Sequence, residues 1–167
     1  MPLHLRINRS RFNQPNWRHA VEDELTERIA RALLRAAIKR SVLSYQRFHD
    51  LCGPELSYAQ RYCVLEKAVE SVSDPRRLDY GVLLALDSGL PGDDYFRRFY
   101  RYRHDEYLRS MGDPRIQRQS VKQKWALVRV ERMRAYEDAR VESALPRALD
   151  ANALVHIASP LPWPRTT

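Results

Sequence analysis

Two His-Asp pairs, His49-Asp50 and His104-Asp105, are the first residues in the chain whose types and spacing could do chemistry. Imidazole and carboxylate ligands of this kind hold the divalent ion of metal phosphohydrolases, where the metal lowers the pKa of its bound water. That chemistry needs further His and Asp ligands, and the other histidines, His4, His19 and His156, stand in terminal segments. Cys52 and Cys63 lack the paired spacing of a zinc site. With no secretory apolar segment before them they read as reduced, mostly buried thiols, a Cys52 to Cys63 disulfide being the alternative. No Ser or Cys has a neighbouring His and acid in a nucleophile setting, and no carboxylates group with a lysine as in nucleases. The glycine spacing of a phosphate loop is missing as well. The reading is a non-catalytic protein with no cofactor and no metal.

The chemistry that remains is binding through charge. The net charge is +8, with 44% apolar and 30% charged residues, which places the chain in the globular range. No apolar run approaches the roughly 18 residues of a membrane span, so a soluble, cytoplasmic protein is expected. Residues 1–21 carry a net +4, 22–92 a net −1 and 93–140 a net +5. Clustered Lys and Arg displace counterions from a phosphate backbone. The basic candidates are Arg9 and Arg11 in an N-terminal arm, Arg76 and Arg77 in a turn, and Arg118, Lys122, Arg129 and Arg132 late in the chain.

Several elements must position these residues. Val21 to Arg40 reads as a central helix, with Leu25, Ile29, Ala32, Leu33 and Ala36 on one face, and with Glu24 and Glu27 able to pair with Arg28 and Arg31. Val42 to Ser44 allows a short strand, and Tyr45 to Cys52 a two-turn helix closed by Gly53. Ser57 is placed to cap a helix over 58–72, on which Tyr58, Tyr62, Leu65, Val69 and Val72 would face the core. Gln60, Cys63, Val64, Lys67 and Ser71 would then face outward, with Arg61 at the margin. Gln60 could reach an adenine edge, and Arg61 or Lys67 a guanine or a phosphate.

LDYGVLLAL, residues 78–86, reads as a buried strand, and DSGLPG after it as a hairpin or a strand-to-helix turn. A helix from Asp93 or Asp94 to Ser110 would bury Phe96, Phe99, Tyr100, Arg103 and Tyr107, and could pair Asp94 with Arg98 and Asp105 with Arg101. A last helix over 118–140 aligns Arg118, Lys122, Trp125, Arg129, Arg132, Tyr136 and Arg140 in one stripe. Trp125 and Tyr136 would be stacking or interface anchors, or would pack inward. Trp163, among the prolines of the tail, is a third interface candidate. The expected fold is mostly α with a small β-sheet, a winged helix-turn-helix-like core with added helices. The expected organisation is an arm over 1–20, one domain over 21–140 and a tail over 141–167.

SYQRFHDL, YAQRYCVLEKAVESV and YGVLLALDSGLPG, in that order, resemble the DNA-binding winged helix of alkyltransferase-like proteins. The likeness covers about 50 of 167 residues. It implies that Tyr45 is the tyrosine opening the helix before the recognition helix, and that Arg61 is the recognition-helix arginine. The family's Pro-Cys-His-Arg motif is absent, so the resemblance carries no alkyl transfer.

These readings lead to a protein that binds nucleic acid, duplex DNA before RNA. The alternative is a protein-interaction module, a small regulator or inhibitor gripping an acidic protein surface through Arg and aromatic residues. A homodimer would double the basic surface in either case.

Overall fold

A computed structural model describes residues 16–144. The expectations placed on Arg9, Arg11 and Trp163 lie outside them. The described residues form a mostly helical fold with one small sheet. Helix α1 (Asn16–Ile38) is central because its apolar stripe is wide. Leu25, Ile29, Leu33, Ala36 and Ala37 are all buried, which lets the helices over Tyr58–Val72 and Val121–Ala144 pack against it together. Its solvent side carries the expected pairs, Arg28 to Glu24 at 3.0 Å and Arg31 to Glu27 at 3.4 Å. The helix starts upstream of its acidic cluster and ends before Lys39. Arg40 adopts φ 50° and its N–H bonds the Ala37 carbonyl at 2.9 Å, a left-handed closure that leaves its side chain beyond the last turn.

Strand β1 (Leu43–Ser44) runs directly into α2 (Tyr45–Cys52), whose N-terminus is capped when the Ser44 hydroxyl accepts from the Arg47 N–H at 3.1 Å. Gly53 closes α2 at φ 75°. Helix α3 (Tyr58–Val72) opens on a capping box in which Ser57 and Gln60 satisfy each other's backbone N–H groups. Helix α6 (Val121–Ala144) uses the same Ser-x-x-Gln signal, with Ser120 and Gln123 bonded reciprocally at 2.9 and 3.1 Å. That cap corrects the expected start, because it leaves Arg118 in the loop before the helix.

The expected strand over 78–86 forms only as β2 (Leu84–Ala85), which pairs in parallel with β1, Leu43 opposite Leu84 and Ser44 opposite Ala85. Asp79 diverts the preceding residues. Its carboxylate accepts from the Gly81 N–H at 2.7 Å and caps a 3-10 turn, Tyr80–Leu83. A local side-chain partner of this kind competes with strand pairing. The DSGLPG turn then leads from β2 into α4 (Asp93–Tyr102), with Gly89 at φ 81°. Among the described residues no antiparallel hairpin stands where a wing would.

The aromatic segment is two helices, α4 and α5 (His104–Met111), because the backbone breaks at Arg103, φ −133° and ψ 52°. The Arg103 side chain is buried over the Phe99 ring, its guanidinium 4.3 Å from the centroid, and turned toward Glu131 of α6. Phe96, Phe99 and Tyr107 are buried as their spacing predicts, and Asp94 pairs with Arg98 at 3.0 Å. Arg101 reaches Glu66 instead of Asp105. No described helix is long and apolar enough to cross a membrane.

Candidate functional site

Helix α3 buries Val64, Leu65, Ala68 and Val69, so its inward face is turned from the one expected, and Tyr58 is 69% exposed. The physical reason is that α3 packs under α1 and the 3-10 turn at once, which calls for small and branched residues at the contact. Gln60 is spent on its capping box. Arg61 donates from Nε to the Leu56 carbonyl at 2.9 Å and from Nη2 to the Gly53 carbonyl at 2.8 Å, tying the loop between α2 and α3. Lys67 holds Glu22 of α1 at 2.6 Å. Tyr45, at the head of α2, gives its hydroxyl proton to Asp94 at 2.6 Å and accepts from the Gly92 N–H at 3.1 Å. Three of the four are occupied in bonds to other elements, and Gln60 in the cap of α3 itself.

Arg76 lies 5.7 Å over the Tyr102 ring and stays exposed. Arg77 grips Asp138 of α6 through two bonds, 2.6 and 3.3 Å, while the Tyr80 hydroxyl donates to the same carboxylate at 2.9 Å. The Arg77 guanidinium, aided by that hydroxyl, holds the Asp138 carboxyl below its usual range. A depressed carboxylate pKa contributes stability that is fully present above the ordinary Asp value of about 4. That contribution is lost as pH falls through the depressed value. Asp138→Asn is therefore expected to flatten the acid limb of a thermal-stability profile below about pH 4. An unchanged limb would mean the contact is not populated in solution.

The late basic stripe divides in two. Arg132 turns inward, donating from Nε to the Val82 carbonyl at 3.0 Å and from Nη2 to the Gly89 carbonyl at 2.8 Å. Burial lowers its pKa, since no carboxylate meets it among the described residues. Trp125 is half-buried against the core, its ring so close to Gly89 that a Cβ there would come within 2.9 Å. Tyr136 packs likewise and reaches the Ser41 carbonyl at 3.4 Å. Arg118, Lys122 and Arg129 are exposed, and Arg129 lies 5.9 Å from the Trp125 ring.

Around this stripe the structure gathers residues that sequence reasoning passed over. Arg40 sits 5.8 Å over the Tyr136 ring and donates to the Met133 sulfur at 3.7 Å. Val42 beside β1, Leu86 in the turn that carries Gly89, and Val130 and Met133 on α6 are all more than two-fifths exposed. The signal available was Val130 and Met133 interrupting a charged helix at i, i+3. The result is one surface on which half-buried aromatics, exposed aliphatics and cations alternate, Arg40 lying 3.8 Å from Glu137 and Lys122 and Arg129 having no carboxylate partner among the described residues.

The residues weighed for catalysis do not converge. His49 lies among the rings of Phe48 and Tyr58, with burial and Arg61 lowering its pKa, and His104 packs edge-on against Tyr100. Among the described residues no three His, Cys, Asp or Glu side chains are grouped to hold a metal. Cys52 is buried and Cys63 exposed, both as free thiols. In comparisons with known proteins the chain matches no family model, no curated protein and no solved structure.

Proposed function

We propose that the protein is a non-catalytic binding module that holds an acidic protein surface on the face formed by α6, the end of α1 and the Leu86–Leu90 turn. The observation that carries this reading is the alternation of exposed Val42, Leu86, Val130 and Met133 with Trp125, Tyr136, Lys122 and Arg129. Aromatic residues, Met and Arg are the types that protein interfaces concentrate, while Lys adds long-range attraction to acidic groups. Trp125 and Tyr136 already have their rings positioned by the core, so little side-chain entropy is lost when a partner covers them.

A second reading, nucleic-acid binding with duplex DNA preferred, is favoured by a separate observation. Arg118, Lys122 and Arg129 have no carboxylate within ion-pair distance among the described residues, on a chain of net charge +8. Three phosphate contacts predict a loss of affinity of about 40-fold between roughly 50 and 200 mM salt.

One pair of variants separates the two. Met133→Ser removes apolar contact without adding charge, whereas Lys122→Glu with Arg129→Glu strikes both readings. Binding to an isolated acidic partner protein, measured by titration, is expected to fall about tenfold or more with either change. Fluorescence anisotropy with labelled duplex DNA supports the second reading if affinity is steeply salt-dependent, lost in the double charge reversal and kept in Met133→Ser. Binding to a partner that survives both changes would reject this face.

A further inference from the structure

Helices α3 and α4 leave a cleft of about 240 Å³ between them, on elements apart from the α6 face. It is lined by Tyr62, Cys63 and Glu66 from α3 and by Arg97, Arg98 and Arg101 from α4, with Asp94 at one end. Three guanidiniums on one turn and a half of helix face a phenol and a thiol across a concave surface. We infer that this cleft binds the dianionic group of a phosphate monoester.

The inference rests on which groups in the lining are committed and which are available. Arg98 forms the floor and is only 3% exposed. Its Nε holds the buried Asp79 at 2.9 Å and its Nη1 holds the partly buried Asp94 at 3.0 Å, so its position is set by two carboxylates. Asp94 is occupied on both oxygens, by Arg98 and by the Tyr45 hydroxyl, and does not compete for the cations at the mouth. Arg97 is exposed and has no carboxylate or hydrogen-bond partner among the described residues. The only carboxylate Arg101 meets among the described residues is Glu66 at 3.7 Å, both side chains being about half-exposed, and its guanidinium lies 5.6 Å from the Tyr102 ring. An ion pair that long and that solvated contributes little, and a ligand oxygen on the same guanidinium replaces it. The Tyr62 hydroxyl likewise makes no protein hydrogen bond among the described residues.

The guanidinium fork matches the oxygens of a phosphate in two-point contacts, and two forks one turn apart suit a dianion better than a single carboxylate. The cleft is smaller than the roughly 300–1,000 Å³ of pockets that enclose drug-sized ligands. It therefore takes the phosphoryl head and leaves the esterified portion outside. This site is independent of the proposed α6 interface, and variants in one leave the other unaltered.

Cys63 supplies the test, since its exposed thiol lines the cleft while Cys52 is buried and its thiol pKa is raised by burial. The rate of Cys63 alkylation by iodoacetamide is measured by mass spectrometry on the full chain, with phenyl phosphate titrated against sodium chloride at equal ionic strength. Inorganic phosphate forms a second arm. Phenyl phosphate is expected to slow alkylation saturably. Arg97→Ala and Arg101→Ala are each expected to weaken that protection about tenfold with an unchanged melting temperature. Slowing that chloride reproduces, that does not saturate, or that survives the double Arg97→Ala, Arg101→Ala change overturns the site. Protection by inorganic phosphate alone overturns the monoester.

Discussion

Glu131→Ala is expected to lower the unfolding free energy by about 3–5 kcal/mol, a fifth or more of the roughly 5–15 kcal/mol that holds an ordinary domain together. Glu131 is fully buried on α6 and takes both Arg103 and Arg134, the Arg134 bond being 2.9 Å and the Arg103 Nη2 bond 3.0 Å. Arg103 is itself buried, at the break between α4 and α5, with Glu106 as its other partner. Removing Glu131 leaves a guanidinium in the core with half its compensation, and the desolvation cost of that charge falls on the folded state. Replacing Arg103 and Glu131 together by Met removes both charges and is expected to recover most of the loss. Urea unfolding of Glu131→Met, of Arg103→Met and of the double closes the cycle. A single-variant cost under about 1 kcal/mol would show that water reaches this pair as it reaches a surface one.

Asp79→Asn should cost about 3 kcal/mol by the same logic on a second buried pair, with a structural consequence the first lacks. The Asp79 carboxylate is 1% exposed and does two things, capping the 3-10 turn through the Gly81 N–H and holding Arg98 through Nε and Nη2. Asn keeps an acceptor for Gly81 but turns an amide toward the guanidinium, so Arg98 retains only Asp94. The packing is close enough that a Cβ on Gly81 would lie 2.1 Å from the Arg98 Nη2, which is why Gly is needed there. Since Arg98 joins α4 to the turn before β2, the variant should also raise amide exchange in residues 80–85 before it does so in α1. Equal protection in both regions would show that Asp79 does not anchor the turn.

These two pairs mark what could not be read from the chain alone. Arg98 and Arg103 stand among four arginines between Phe96 and Leu108, all with the same local surroundings of aromatic rings. Spacing put Arg103 on the apolar face with Phe99 and Tyr107, and the structure buries it there. Arg98 is buried too, on Asp79 from 19 residues away, and no local period carries that information. The stripe over 118–140 shows the same limit, because Arg132 and Arg129 are three residues apart, yet one is drawn under the 86–90 turn and the other stays in solvent.

The features legible in the chain were local. Ser44 before Tyr45, Gly53 after Cys52 and Ser57 before Tyr58 set the ends of α2 and the start of α3, because a cap is a bond between residues at most a few positions apart. The mostly helical fold and the basic balance of the second half were legible for the same reason, being properties of composition and short-range period. Which cations remain available depends instead on packing between elements. Arg61, Arg77, Arg98, Arg103 and Arg132 are taken by carbonyls and carboxylates, mostly of other elements, while Arg97, Lys122 and Arg129 are not. A long guanidinium side chain turns toward whichever buried acceptor lies within reach, and that acceptor is placed there by packing between elements distant in the chain.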